Sequence, residues 1–251
     1  MLGKTAQDVV LRLLDRLPRE EVLRLADASG RLSFRDRFRR RLLLWGLHSL
    51  PSDALFSFVY RKNIWGGNES RSGAGSSLDE TLALRHELPA LLAKWSIESM
   101  LDVPCGDFYW MKEVNLPLQR YIGADIVQDV VERNNRLYHG AGRLFVRLDL
   151  TRDRLPQANL IFCRDCLPHF SYELIRRALT NIRTSGAEFL LTTTFPAHDE
   201  NTAIMTGWWR PLNLEKAPFC FPPPLAYIHE RNPDSRYSDK SLGLWRIQDL
   251  P

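Results

Sequence analysis

Along the first sixty residues the apolar positions recur at helical intervals. Val9, Val10, Leu13, Leu14 and Leu17 fall on one stripe of 3.6-residue period, Ala28-Ser29-Gly30 supplies a stop, and Ser33 offers a new N-cap. Phe34 and Phe38, four residues apart, predict the buried stripe of an amphipathic helix. The segment WGGNESRSGAGSSLDET, residues 65–81, is too rich in Gly and Ser for the interior of an element; Ser77 and Glu80, in capping-box spacing, open a helix at its end. From residue 98 the pattern changes. Short apolar runs at 99–103, 121–125, 144–148, 160–163 and 188–195 alternate with helical stretches, which predicts a parallel sheet with helices on both faces. After Pro196 the rhythm stops. A Pro- and Trp-rich stretch runs to about residue 224 and precedes two strand-like pieces, 225–229 and 242–247. The expectation is an α/β, doubly wound, mostly parallel sheet: a helical extension over 1–64, a Gly/Ser-rich loop or lid over 65–84, and a core domain over 85–251 with a lid insertion at about 196–224.

Composition narrows the class. With 251 residues, 44% hydrophobic and 25% charged, the chain can bury a core without disulfide or metal staples. The longest apolar runs, 42–47 and 189–195, are far shorter than the roughly 18–20 residues of a membrane-spanning helix. The N-terminus lacks the pattern of a secretory signal, so a cytoplasmic protein is expected. Four cysteines make no disulfide framework, and no ligand cluster has metal-site spacing; Cys163 and Cys166 read as small core residues, and no metal is expected. The net charge of +4 is uneven: residues 1–50 carry 11 basic and 6 acidic side chains, the remainder 23 and 24. Arg35, Arg37, Arg39, Arg40 and Arg41 form the densest basic cluster. The near-neutral remainder argues against a nucleic-acid partner, whose backbone needs several Lys or Arg along its path.

Ligands of doubly wound sheets bind beyond the carboxyl ends of the strands, where strand order reverses. The first strand runs into LDVPCGDF, residues 101–108, an acid followed by a tight turn at Gly106. The second ends in Asp125, about twenty residues on, the spacing at which a carboxylate accepts from both hydroxyls of a ribose. The third ends in Arg147-Leu148-Asp149-Leu150, where a carboxylate and a backbone N–H can meet an adenine edge. The fourth ends in CRDCLPHF, residues 163–170, which brings Asp165 and His169 to the same crevice.

In this order and spacing the four segments resemble those of the class I S-adenosylmethionine-dependent methyltransferases, over roughly residues 85–195. The resemblance implies that Asp102, Pro104, Cys105 and Gly106 hold the methionine part of S-adenosylmethionine, Asp125 with Ile126 beside it the ribose, and Asp149 with Leu150 the adenine. Arg164 joins the same cofactor-binding set. Pro104 and Phe108 stand where glycines are common in that family. The strings WGGNESRSGAGSS, TGWWRPLNL and DKSLGLW are similar to a group of bacterial methyltransferases of poorly defined substrate.

Attack of a hydroxyl on a sulfonium methyl benefits from proton removal, and His169 is the candidate base. Asp165 is the second catalytic candidate, orienting His169 or holding a substrate hydroxyl. Trp208, Trp209 and Arg210 in the irregular stretch, and Trp65, Arg71 and Ser72 in the Gly/Ser loop, are candidate acceptor contacts; flat aromatic faces beside an Arg suit a sugar. The expected activity is methyl transfer to a hydroxyl of a small molecule or glycan. Rival readings are an N-methyltransferase on a small amine or a protein, a nucleotide-dependent oxidoreductase, and a non-catalytic scaffold docking through the basic helices. The oxidoreductase reading requires a GxGxxG turn, which LDVPCGDF is not.

Overall fold

A computed structural model describes residues 4–26, 33–140, 142–230 and 237–251. Seven strands form one sheet: β1 (Ser99–Asp102), β2 (Arg120–Asp125), β3 (Arg143–Arg147), β4 (Leu160–Cys163), β5 (Phe189–Thr194), β6 (Ala226–His229) and β7 (Ser241–Arg246). Their spatial order is β3-β2-β1-β4-β5-β7-β6; β1 to β5 pair in parallel, and β7 runs antiparallel to both β5 and β6. Strand order reverses between β1 and β4, which fixes the crevice beyond their carboxyl ends as the place for a ligand.

The central strands β1, β4 and β5 are buried at nearly every position because both faces are covered. Leu101, Ile161, Leu190 and Trp245 point to one core, which α7 (Tyr172–Arg183) closes with Ile175, Ala178 and Ile182. Met100, Leu160, Phe162 and Leu191 point to the other, closed by Leu84, Leu88, Leu91 and Leu92 of α5 (Leu82–Lys94). Helix α6 (Gln128–Tyr138) crosses from β2 to β3. Cys163 and Cys166 are buried in the first core.

The expected N-terminal helices are α1 (Lys4–Asp15), α2 (Arg19–Ala26), α3 (Phe34–Ser49) and α4 (Ser52–Arg61). Ser33 caps α3, its hydroxyl accepting from the Asp36 N–H at 3.1 Å. The stop at 28–30 and the Phe34 side chain lie outside the described residues. Phe38 does not face a core: it is exposed, because α3 packs through Leu43 and through Gly46, which lies against Val10 and Leu14 of α1. The extension is also more than an appendage. Leu55, Phe58 and Val59 of α4 fill the helical core, while Phe56 joins the core of the sheet.

Ser77 Oγ accepts from the Glu80 N–H at 3.3 Å, but this closes a turn ahead of the helix: α5 begins at Leu82, with Thr81 at its N-cap position making no side-chain cap bond. Residues 196–224 contain no helix or strand. They are nevertheless tied down: the Asn213 side chain donates to the carbonyls of Pro196 and His198, and Asn201 accepts from the Asn213 N–H and donates to the Asn213 and Ala217 carbonyls.

Candidate functional site

A cavity of about 380 Å³ opens at the switch point, within the range of about 300–1,000 Å³ usual for small-molecule sites. Asp102, Gly106, Asp125 and Leu150 border it from the strand ends, and Phe56, Tyr60 and Trp65 from α4 and the segment after it. His169, Asp165, Phe195, Trp209 and Lys240 line it as well.

The turn after β1 is shaped by its own backbone. Gly106 has φ +53°, and a Cβ there would lie 2.4 Å from Ser72 Oγ. Its N–H donates to Asp125 Oδ2 at 3.1 Å, while Asp125 Oδ1 accepts from the Val127 N–H at 2.9 Å. Each carboxylate oxygen keeps a second lone pair. Burial pushes the Asp125 carboxyl up to about 6, against the pull of backbone N–H groups of Val127, Gly106 and Ile126. Phe108 also has positive φ, 59°, the conformation a glycine adopts without strain, and its ring is packed among Tyr121, Tyr138 and Phe145. Packing there stands in for the missing glycine.

Asp102 is buried, and the Tyr121 hydroxyl donates to its Oδ2. Burial pushes its carboxyl up to about 8, so a cationic ligand group arriving beside it would be bound as it ionised. Pro104, Cys105 and Ile126 border the same half of the cavity. Asp149 is more committed than expected: Oδ1 accepts from the N–H and hydroxyl of Thr151, and Oδ2 pairs with Arg152 at 3.2 Å. Among the described residues the Leu150 N–H has no partner, which leaves the backbone rather than the carboxylate as the free group.

Beyond β4, four charges form a buried network. Arg164 donates through Nε to Glu230 at 3.2 Å, through Nη2 to the Gly75 carbonyl at 2.7 Å, and pairs through Nη1 with Asp165 at 3.2 Å. Lys240 bridges Asp165 Oδ2 at 2.7 Å and Glu230 Oε2 at 3.2 Å. Arg164 borders the cavity as expected, and its engaged donors also hold Asp165 and the Gly/Ser loop. Burial would raise the Asp165 carboxyl, but Lys240 and Arg164 outweigh it and hold it well below the usual range. Its other oxygen, Oδ1, is buried without a hydrogen-bond partner.

His169 sits in a short 3-10 turn, Leu167–His169, with the Trp65 ring 4.8 Å away. Because a carbonyl only accepts, the 3.0 Å contact between Nδ1 and the Trp208 carbonyl places the proton on Nδ1 and leaves Nε2 bare. Asp165 makes no hydrogen bond to His169, so the orienting role expected of it belongs to the Trp208 backbone. Burial pushes the imidazole down to about 4, against the opposing pull of Asp165 and the Trp208 carbonyl.

Three expected acceptor contacts lie elsewhere. Arg210 is buried and donates to the Leu167 and Pro168 carbonyls, bracing the turn that carries His169. Trp208 contributes its carbonyl and is not part of the cavity wall, and Arg71 is exposed while its N–H donates to Asp107 Oδ2 at 3.0 Å. Trp65, Ser72 and Trp209 do border the cavity. The residues missed from sequence are Tyr60, Glu230 and Lys240; the only signal was the DKSLGLW string that contains Lys240.

The whole arrangement can be compared with solved structures. Human N-acetylserotonin methyltransferase, crystallised in complex with S-adenosylmethionine, matches 94% of this chain over 69% of its own, at 16% identity and a TM-score of 0.55. The chain has the class I methyltransferase fold. The N-methyltransferase NodS from Bradyrhizobium japonicum WM9, with S-adenosylhomocysteine, matches 55% of this chain over 73% of its own at 13% identity and a TM-score of 0.45. Magnesium protoporphyrin IX methyltransferase from Synechocystis PCC 6803 matches 76% over 73%, at 12% identity and a TM-score of 0.40. The fold assignment rests on the human enzyme, whose alignment also takes in the N-terminal helices of this methyltransferase-fold chain. No family model matches the chain, and no curated protein matches it in sequence.

Proposed function

We propose that the protein is an S-adenosylmethionine-dependent methyltransferase that methylates a hydroxyl of a small molecule or glycan. The carrying observation is that Asp125 and His169 border one cavity, the first with spare acceptor lone pairs and the second with a bare ring nitrogen. The residues present fit the cofactor: Asp102 and Asp125 border a cavity whose proposed occupant carries a sulfonium and an ammonium, and the Leu150 N–H is free for a ring nitrogen. When bound, S-adenosylmethionine supplies an electrophilic methyl group. Asp125 accepts from the ribose hydroxyls, and Asp102 is the carboxylate for the ammonium.

On the acceptor side Trp65, Trp209 and Phe195 offer flat faces that suit a sugar ring, with the His169 imidazole set among them. Asp165 Oδ1, unpaired and buried, accepts a hydrogen bond from the acceptor, and His169 Nε2 takes the proton of the attacked hydroxyl. Trp208, through its carbonyl, keeps the imidazole in the productive tautomer. Most of the rate enhancement comes from holding the acceptor in line.

Product analysis after incubation with S-adenosylmethionine and sugar acceptors tests the reading: methyl on oxygen supports it, methyl on nitrogen or no product opposes it. The pH profile carries a second test. His169 has its base form above about pH 4, so with cofactor saturating, kcat/KM for the acceptor stays level as pH falls from 7 to 5 and declines only near 4. A limb near 6.5, the unperturbed imidazole value, would show that His169 is solvated or is not the base.

A further inference from the structure

We infer that α3 and the outer side of α1 form a docking surface for an anionic lipid bilayer, on which the protein rests without spanning it. This goes beyond the methyl-transfer reading and does not depend on it. Phe38, Leu42 and Trp45 stand at i, i+4 and i+7 on one side of α3 and are 60%, 53% and 56% exposed. Three large apolar side chains in a row on a solvent-facing helix need a partner that removes them from water. The inner side of α3, with Leu43 and Gly46, is already spent on the helical core and α1. Helix α1, which adjoins α3 at Gly46, carries its own exposed pair, Val9 and Leu13.

Charge identifies the partner. Arg35 and Arg41 share the side of Phe38 and Leu42, are exposed, and form no ion pair among the described residues; Arg12 and Arg16 stand in the same way beside Leu13. Arg39, by contrast, pairs with Glu21, and Asp36 is taken by Arg24. The excess positive charge of the chain therefore lies on the helices that carry the exposed apolar side chains. Apolar side chains flanked by arginines match the headgroup boundary of a bilayer, where rings and Leu enter the acyl edge and guanidinium groups meet phosphates. A second copy of the same surface would set arginine against arginine, and a nucleic-acid backbone would leave Leu13 and Leu42 without apolar contact. No helix among the described residues is long and apolar enough to cross the membrane, so the contact is interfacial.

Flotation of the full chain with phosphatidylcholine vesicles, alone and with about one third phosphatidylglycerol, tests this. The protein is expected to float with the anionic vesicles and not with the neutral ones. Phe38→Gln with Leu42→Gln and Trp45→Gln should weaken partitioning at least about tenfold. Arg35→Glu with Arg41→Glu should weaken it at least about fivefold per residue. Both variants should keep the wild-type unfolding midpoint, since the side chains are exposed and glutamine and glutamate suit a helix. Failure to float with anionic vesicles, or equal binding to neutral ones, overturns the inference. Sedimentation as a dimer that the glutamine variant disperses, without vesicle binding, assigns the surface to a second copy and overturns it as well.

Discussion

His169→Ala is expected to lower turnover by about 10²–10⁴ while leaving S-adenosylhomocysteine affinity unchanged, the range a positioned general base contributes. The separation of effects follows from where the residues stand: His169 lies in the turn after β4, whereas Gly106 follows β1 and Asp125 ends β2. Alanine also removes the donor to the Trp208 carbonyl and a ring packed on Trp65, so some loss could come from a loosened turn. His169→Asn separates the two causes. Its amide can still donate to the Trp208 carbonyl but offers no basic nitrogen, so it should lose nearly as much turnover as alanine. Turnover within twofold of wild type in both variants, at saturating acceptor, would remove His169 from the chemistry.

Asp125→Ala should weaken S-adenosylhomocysteine binding by about 10² or more, since hydrogen bonds to a charged acceptor contribute about 1.5–3 kcal/mol each. It should also cost stability, because the Gly106 and Val127 N–H groups, which Asp125 accepts at 3.1 and 2.9 Å, lose their partner. An unsatisfied buried donor costs about 1–3 kcal/mol, readable as a lower urea midpoint at unchanged slope. Asp125→Asn keeps one carbonyl acceptor but lacks the charge, and should fall between wild type and alanine in affinity. Affinity that does not move in either variant would mean that the ligand is not held by its ribose at β2.

Much of the fold is legible because the central strands are buried on both faces and read as short runs of apolar and β-branched residues; β4 spans residues 160–163 as the run does, and the other strands lie within one or two residues of theirs. The acids at the strand ends are legible for a related reason. In a doubly wound sheet the position of a crevice follows from strand order, so any residue just past β1, β2 or β4 is a candidate. What side chains do there is not so determined. Arg164 and Arg210 read as ligand contacts, yet one is paired with Glu230, distant in sequence, and the other donates through Nη1 to backbone carbonyls of the His169 turn. Lys240 and Glu230 are not legible as partners of Asp165 and Arg164, because local sequence does not show that β6 and β7 deliver them to the end of β4. Phe38 is exposed despite its spacing from Phe34, since i, i+4 spacing establishes a shared face but not what that face meets. Similarly, periodicity shows α4 as a helix without showing that Phe56 and Tyr60 close the cavity.

The most direct test of the central claim is a calorimetric titration of the wild-type protein with S-adenosylhomocysteine, with NADH as the control. Saturable micromolar binding of S-adenosylhomocysteine and none of NADH is the expected result. Absence of S-adenosylhomocysteine binding, or a preference for NADH, would contradict the assignment of the cavity to the methyl donor.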